Sequence, residues 1–138
     1  MNFEEAARFM QSYHRGVVTT TRKSGAGQMS ILASGPYRGG AAFVARGNSA
    51  KIANLKRNPR CTVLTLNPNW SSYVVVEGDA EIHGWDNTDH EDLRIMLREC
   101  YQACGGDHPD YDEYDRVMRE QRRAVVVVRP EHVYGLVR

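Results

Sequence analysis

The chain has 138 residues, 41% of them hydrophobic and 25% charged, with a formal net charge of +1 at pH 7. That length supports one core and not two, and the near-neutral balance gives no field that would make nucleic acid or an anionic membrane the main partner. No run approaches the roughly 18 apolar residues of a membrane span, and the opening Met1-Asn2-Phe3-Glu4-Glu5 is acidic, so one soluble, cytoplasmic domain over residues 1–138 is expected. Three cysteines, an odd number, argue for reduced thiols and against a disulfide framework.

In chain order, residues 3 to 14 read as an amphipathic helix with Phe3, Ala7 and Met10 on one stripe, Asn2 as cap and Glu4 and Glu5 in the first turn. Val17-Val18-Thr19-Thr20-Thr21 is β-branched throughout, and Ser24-Gly25-Ala26-Gly27 turns it into a second strand. From Gln28 to Ser34 the pattern nearly alternates. Met29, Ile31 and Ala33 are expected on the packed face, with Gln28, Ser30 and Ser34 on a polar face open to a ligand. Pro36-Tyr37-Arg38-Gly39-Gly40 reads as a turn before a third strand, Ala41 to Ala45.

Arg46 to Arg60 then reads as a strand end, a tight turn at Gly47, a short helix capped by Asn48 or Ser49, and a stop at Asn58-Pro59. Unpaired backbone N–H groups and the positive dipole end mark a helix start, and Arg46, Ser49 and Lys51 gather there with Arg57 two turns on. This is the local chemistry of an anion site, most naturally for phosphate, although a solvated basic helix has the same spacing. Neither a P-loop nor a G-x-G-x-x-G run occurs.

Arg60 to Leu66 is a fourth strand, Asn67 to Ser71 a loop, and Ser72 to His83 a long fifth strand with a bulge expected at Gly78. A capping box of Thr88 and Glu91 is expected to open the next helix, whose stripe of Leu93, Met96, Leu97, Cys100, Tyr101 and Cys104 runs to Gly105-Gly106. A second helix from about Pro109 to Arg122 buries Tyr111, Tyr114 and Met118, and the acidic run around Asp110 caps and solvates its start. Arg123 to Arg129 is a buried strand, and Val133 to Val137 adds a last one. Clustered antiparallel strands with peripheral helices define an α+β fold with a small barrel.

Cys100, Cys104 and Cys61 lie within apolar stripes and read as core residues, and the five histidines show no spacing that closes a zinc shell, so no metal is expected. No nucleophile elbow or placed carboxylate pair supports hydrolysis. A redox protein whose cofactor carries the reactive atom is compatible with such a sequence.

The ordered set His14-Arg15-Gly16-Val17-Val18-Thr19-Thr20, Gly27-Gln28-Met29-Ser30, Asn48 to Arg60, Trp70 to Ala80, His108-Pro109-Asp110-Tyr111, Arg123 and His132-Val133-Tyr134-Gly135 resembles a known group. It is similar to the flavin and deazaflavin oxidoreductases of the pyridoxamine 5'-phosphate oxidase-like split β-barrel superfamily, and most to the branch that uses the deazaflavin coenzyme F420. The resemblance implies a six-stranded antiparallel split β-barrel (the FMN-binding split barrel) and a homodimer with cofactor sites between subunits. It implies phosphate binding by Ser49, Lys51, Asn54 and Arg57, ring contacts from Gln28 and Ser30, and a loop from the neighbouring subunit carrying Trp70 and Tyr73. Several relatives carry an extra arginine just before the lysine where this chain has Ser49-Ala50, and Arg46 is expected to substitute for it. The implied activity is hydride transfer from reduced F420 to a small unsaturated or quinone-like acceptor. Tyr73, Ser30, Tyr134 or solvent serves as proton donor, and no catalytic residue is fixed. The alternatives are an FMN-dependent oxidase or flavin reductase of the same fold, or a cofactor-binding dimer without turnover.

Overall fold

In the computed structural model, which describes residues 1–138, four helices and eight strands follow one another along the chain. The order is α1 (Phe3–Ser12), β1 (Arg15–Thr21), β2 (Gly27–Ala33), β3 (Gly35–Tyr37), β4 (Gly40–Ala45), α2 (Ala50–Arg57), β5 (Arg60–Leu66), β6 (Tyr73–His83), α3 (His90–Ala103), α4 (Tyr111–Glu120), β7 (Ala124–Val128) and β8 (His132–Leu136). All pairings are antiparallel, and the path runs β2-β1-β5-β6-β7-β4-β3 with β8 also on β6. This curled sheet with its peripheral helices is the α+β split-barrel architecture, with two more strands than six.

One extra strand is β3, expected as a turn. Gly35-Pro36-Tyr37 pairs with Ala42-Ala41-Gly40, leaving only Arg38 and Gly39 in left-handed turn conformation. Gly35 is essential to that path, because a Cβ there would lie 2.0 Å from the Ala103 carbonyl oxygen.

The long strand β6 joins the two halves. Its first part, Tyr73 to Glu77, pairs with β8, and its last part, Ala80 to His83, pairs with β7 on the same edge. Gly78 lies at the exchange. It is not the expected bulge, since its register with Cys61 of β5 is unbroken; its missing side chain instead admits the chain between β7 and β8, where a Cβ would meet the Arg129 oxygen at 1.7 Å.

The core has two parts. Alternate residues of β4 and β7, Phe43, Val126 and Val128 among them, pack with Val18, Val63, Val74 and Val76 against α1 and α2. Their other faces, Ala42, Val125 and Val127, pack under Leu93, Met96, Leu97 and Cys100 of α3 and Tyr114 of α4. The unbroken Val125-Val126-Val127-Val128 run follows from this double coverage: a strand buried on both faces has no polar alternation to show.

Three helix details differ from expectation. The buried stripe of α1 is Ala6, Phe9 and Met10, and the helix ends at Ser12. The cap of α3 is Asp89, whose side chain accepts from the Asp92 N–H, while the Thr88 hydroxyl donates to Asn87 and Glu91 pairs with Arg94. Helix α4 is shorter than the stretch from Pro109 to Arg122, starting after Asp110, which accepts from the N–H groups of Asp112 and Glu113.

The largest departure concerns β2. Gln28, Ser30 and Leu32 point inward and are half-buried, whereas Met29 and Ile31 are 71% and 78% exposed. Directly opposed residues share a face, so Ile31, Val17, Leu64, Val75 and Tyr134 form one row across five strands, flanked by Leu66, Tyr73 and Leu136. None of them belongs to either part of the core, although Val75 within the row is buried.

Candidate cofactor site

The cationic stretch after β4 folds as its sequence dictates. Gly47 makes the turn, with no room for a Cβ, which would stand 2.5 Å from the Arg122 oxygen. Ser49 is the cap, its hydroxyl accepting from the Ile52 N–H at 3.3 Å; Ile52 and Leu55 bury the helix, and Asn58 closes it before Pro59.

This brings Arg46, Ser49 and Lys51 together around a cavity of about 250 Å3, with Ile31, Leu32 and Val44 as its apolar side. The remaining wall is Arg123, delivered by the approach to β7, which the sequence presented only as one residue of the resemblance. No acidic residue lines the cavity, and the side chains of Arg46 and Lys51 form no ion pair or hydrogen bond within the chain. Arg123 donates only to the neutral Gln121 side chain. Burial first, and then the charge of Arg46, push the pKa of Arg123 below its ordinary value. Cations held together without a counter-charge are electrostatically costly and become favourable when an anion is bound.

Asn54 and Arg57 are engaged within the chain. The Asn54 amide donates to Thr20 Oγ1 and Gln28 Oε1, both at 3.1 Å, and its Oδ1 accepts from Arg57 Nη2 at 2.9 Å. Arg57 also donates to the Thr21 carbonyl at 2.8 Å. These three side chains brace α2 against the β1–β2 hairpin, and none of them lines the cation cavity. Gln28 is therefore committed to Asn54 through its acceptor oxygen. The Ser30 hydroxyl, next to it on the inner face, is buried without a partner.

Trp70 and Tyr73 lie elsewhere in the single chain. Trp70 is 82% exposed, with a left-handed backbone (φ 64°), and borders a separate cavity with Tyr13, His14 and Pro68; Tyr73 sits in the outer apolar row.

The cysteines are where their stripes put them. Cys61 and Cys100 are buried, and burial pushes the Cys61 thiol up to about 12. Cys104 is half-buried and donates to the Ala42 carbonyl. No three His, Cys, Asp or Glu side chains converge as a metal shell, and no helix is long and apolar enough to cross a membrane.

Comparison with known proteins places this geometry. The family model for pyridoxamine 5'-phosphate oxidase matches residues 3–136, and the chain belongs to that family. A conserved hypothetical protein of Mycobacterium tuberculosis superposes with a TM-score of 0.76 at 22% identity, over 98% of this chain and 84% of its own. An F420 reductase gives 0.69 at 18% identity, over 92% and 94%. A pyridoxamine 5'-phosphate oxidase-related, FMN-binding protein of Nostoc punctiforme gives 0.66 at 16% identity, over 96% and 79%. Heme-binding and heme-storage proteins share the fold as well. At these identities the structures establish the architecture and leave the cofactor open.

Proposed function

We propose that this chain is a reductase that uses reduced deazaflavin coenzyme F420 to reduce a small unsaturated or quinone-like acceptor. The observation that carries the reading is the group of uncompensated cations, Arg46, Lys51 and Arg123, at the capped start of α2. Its chemistry fits the phosphate shared by F420 and FMN: two guanidinium forks, an ammonium and the positive end of a helix dipole surround one small cavity. Lys51, Arg46, Arg123 and Ser49 hold the phosphate. Asn54 and Arg57 hold α2 and Gln28 in place, and Ser30 presents the hydroxyl nearest the ring.

When bound, reduced F420 supplies a hydride to an electron-poor carbon of the acceptor, and the accompanying proton comes from solvent or from a hydroxyl such as Ser30 or Tyr73. The chain contributes orientation and exclusion of water, which together can lower a barrier by several kcal/mol.

The active form in this proposal is a homodimer. The outer row from Ile31 to Tyr134 is apolar and exposed at its two ends, Ile31 at 78% and Tyr134 at 42%, with Leu136 exposed beside it, and exposed apolar patches of this kind mark association surfaces. Ile31 belongs both to that face and to the cation cavity, so a second copy docked there borders the phosphate site and brings its own Trp70 and Tyr73 toward it. Sedimentation should give a dimer, and Ile31→Glu a monomer; a wild-type monomer would remove this part of the reading.

Fluorescence titration with F420 and, separately, FMN tests the cofactor. Saturable binding of F420 in preference to FMN, followed by acceptor-dependent oxidation of reduced F420, supports the proposal. Preference for FMN transfers the site to a flavin enzyme, and F420 binding without turnover across a broad acceptor panel leaves a carrier.

A further inference from the structure

A second and larger cavity, of about 470 Å3, lies on the other side of Arg46. Its floor is apolar, made by Ile52 of α2, Ile82 of β6 and Ala124 of β7. One wall is the Trp85 ring, which also borders a smaller adjoining hollow with His90, Arg119 and Arg122. The indole N–H of Trp85 is buried and has no acceptor anywhere in the chain. A buried donor without a partner is uncommon, since it loses its water and gains nothing in return.

The charges around this cavity are unequal in standing. Its two carboxylates are already matched, Asp86 by Lys56 at 3.4 Å and Glu120 by Arg116 at 2.8 Å. Its arginines are not: neither Arg46 nor Arg122 forms an ion pair or a side-chain hydrogen bond, although Arg122 borders both hollows.

Arg122 is also held in left-handed backbone conformation (φ 48°), its carbonyl against Gly47 and its N–H donating to the Arg119 oxygen. That conformation is costly for a long side chain and cheap for glycine or asparagine. An arginine at this position gains no ion pair or side-chain hydrogen bond within the fold that would offset the cost.

We propose that this cavity is a second ligand site, separate from the phosphate cavity, that takes a flat aromatic carboxylate. The ring lies on Ile52 and Ile82 beside Trp85, and the carboxylate meets Arg122, with Arg46 at the border between the two cavities. The volume is in the range of small-molecule sites, about 300 to 1,000 Å3, and accommodates a bicyclic ring. The inference stands whichever cofactor the neighbouring cavity binds.

The chain has two tryptophans, Trp70 and Trp85, so a 15N–1H spectrum carries two indole signals and Trp85→Phe assigns them. Titration with 2-naphthoate should shift the Trp85 indole signal saturably. The neutral isostere 2-naphthamide should bind at least tenfold more weakly. Arg122→Asn, which keeps the left-handed turn and removes the charge, should weaken naphthoate at least tenfold with the fold intact. Lys51→Ala, in the other cavity, should leave the response unchanged. The proposal is overturned by the absence of a saturable shift, by equal response to the amide, by full response in Arg122→Asn, or by loss of response in Lys51→Ala.

Discussion

Two groups of basic side chains in this molecule have opposite circumstances. Arg94 and Arg98 of α3 lie against Asp115 of α4, with Glu91 and Asp112 alongside. Burial alone would raise the Asp115 carboxyl, but hydrogen bonds and charge from Arg98, then Arg94, hold it below its usual value. Arg46, Lys51 and Arg123 have no carboxylate partner at all. The first group joins two helices and is complete. The second is kept close by the turn at Gly47 and the entry to β7, and its incompleteness is what the proposed phosphate site rests on. Charge count alone does not separate them; the company of each charge does.

The comparison is sharpened by removing one member from each group. Lys51→Ala should weaken binding of the phosphate-bearing cofactor by roughly 1.5 to 3 kcal/mol, the range for a charge-assisted hydrogen bond, and leave thermal stability unaltered. Calorimetric titration beside a melting curve checks both halves, and unchanged affinity would take Lys51 out of the site. Asp115→Asn should do the reverse: it takes one carboxylate from each of Arg94 and Arg98, which keep Glu91 and Asp112, and up to about 1 kcal/mol of stability should be lost in denaturant unfolding with cofactor affinity intact.

The Asp115 interaction also fixes a sign for acid stability. Its folded pKa lies below the unfolded one of about 3.9, so the stabilisation is fully present above that pH and disappears as pH falls through the lower folded value. The acid limb of the stability curve should therefore be flatter in Asp115→Asn than in the wild type. Parallel curves between about pH 5 and pH 2 would show that the carboxylate contributes nothing by ionisation.

Much of this arrangement was legible in the sequence, and the failures have a common cause. The bounds of α2, β5 and β7 follow from caps, prolines and β-branched runs, all local signals, and the α3 stripe follows from its period. What was lost depends on partners distant in the chain. The alternation of β2 told that Met29 and Ile31 share a face and could not tell that this face points away from the core. Gly78 looked like a bulge because its use, the close passage of Arg129 as β6 exchanges β8 for β7, lies fifty residues ahead. β3 is three residues long and exists only through β4.

The candidate site divides in the same way. Arg46, Ser49 and Lys51 are neighbours in sequence and were found together. Asn54 and Arg57 match the pattern equally well, yet their hydrogen bonds to Gln28, Thr20 and Thr21 make them braces for α2. Arg123 had no local signal, since it reaches the cavity only through the pairing of β7 with β4.

Arg123 gives the smallest effect and the most discriminating one. It is pressed by burial and by Arg46, so its charge is a liability to the empty protein. Arg123→Gln keeps most of the length and hydrogen-bonding capacity while removing that repulsion. Stability without ligand should rise slightly, by about 0.3 kcal/mol as for other like-charge contacts, or stay level. Cofactor affinity should fall in the same variant. A residue retained for packing would show the opposite, losing stability and keeping affinity, so the two readouts taken together separate a site residue from a structural one even where each change is small.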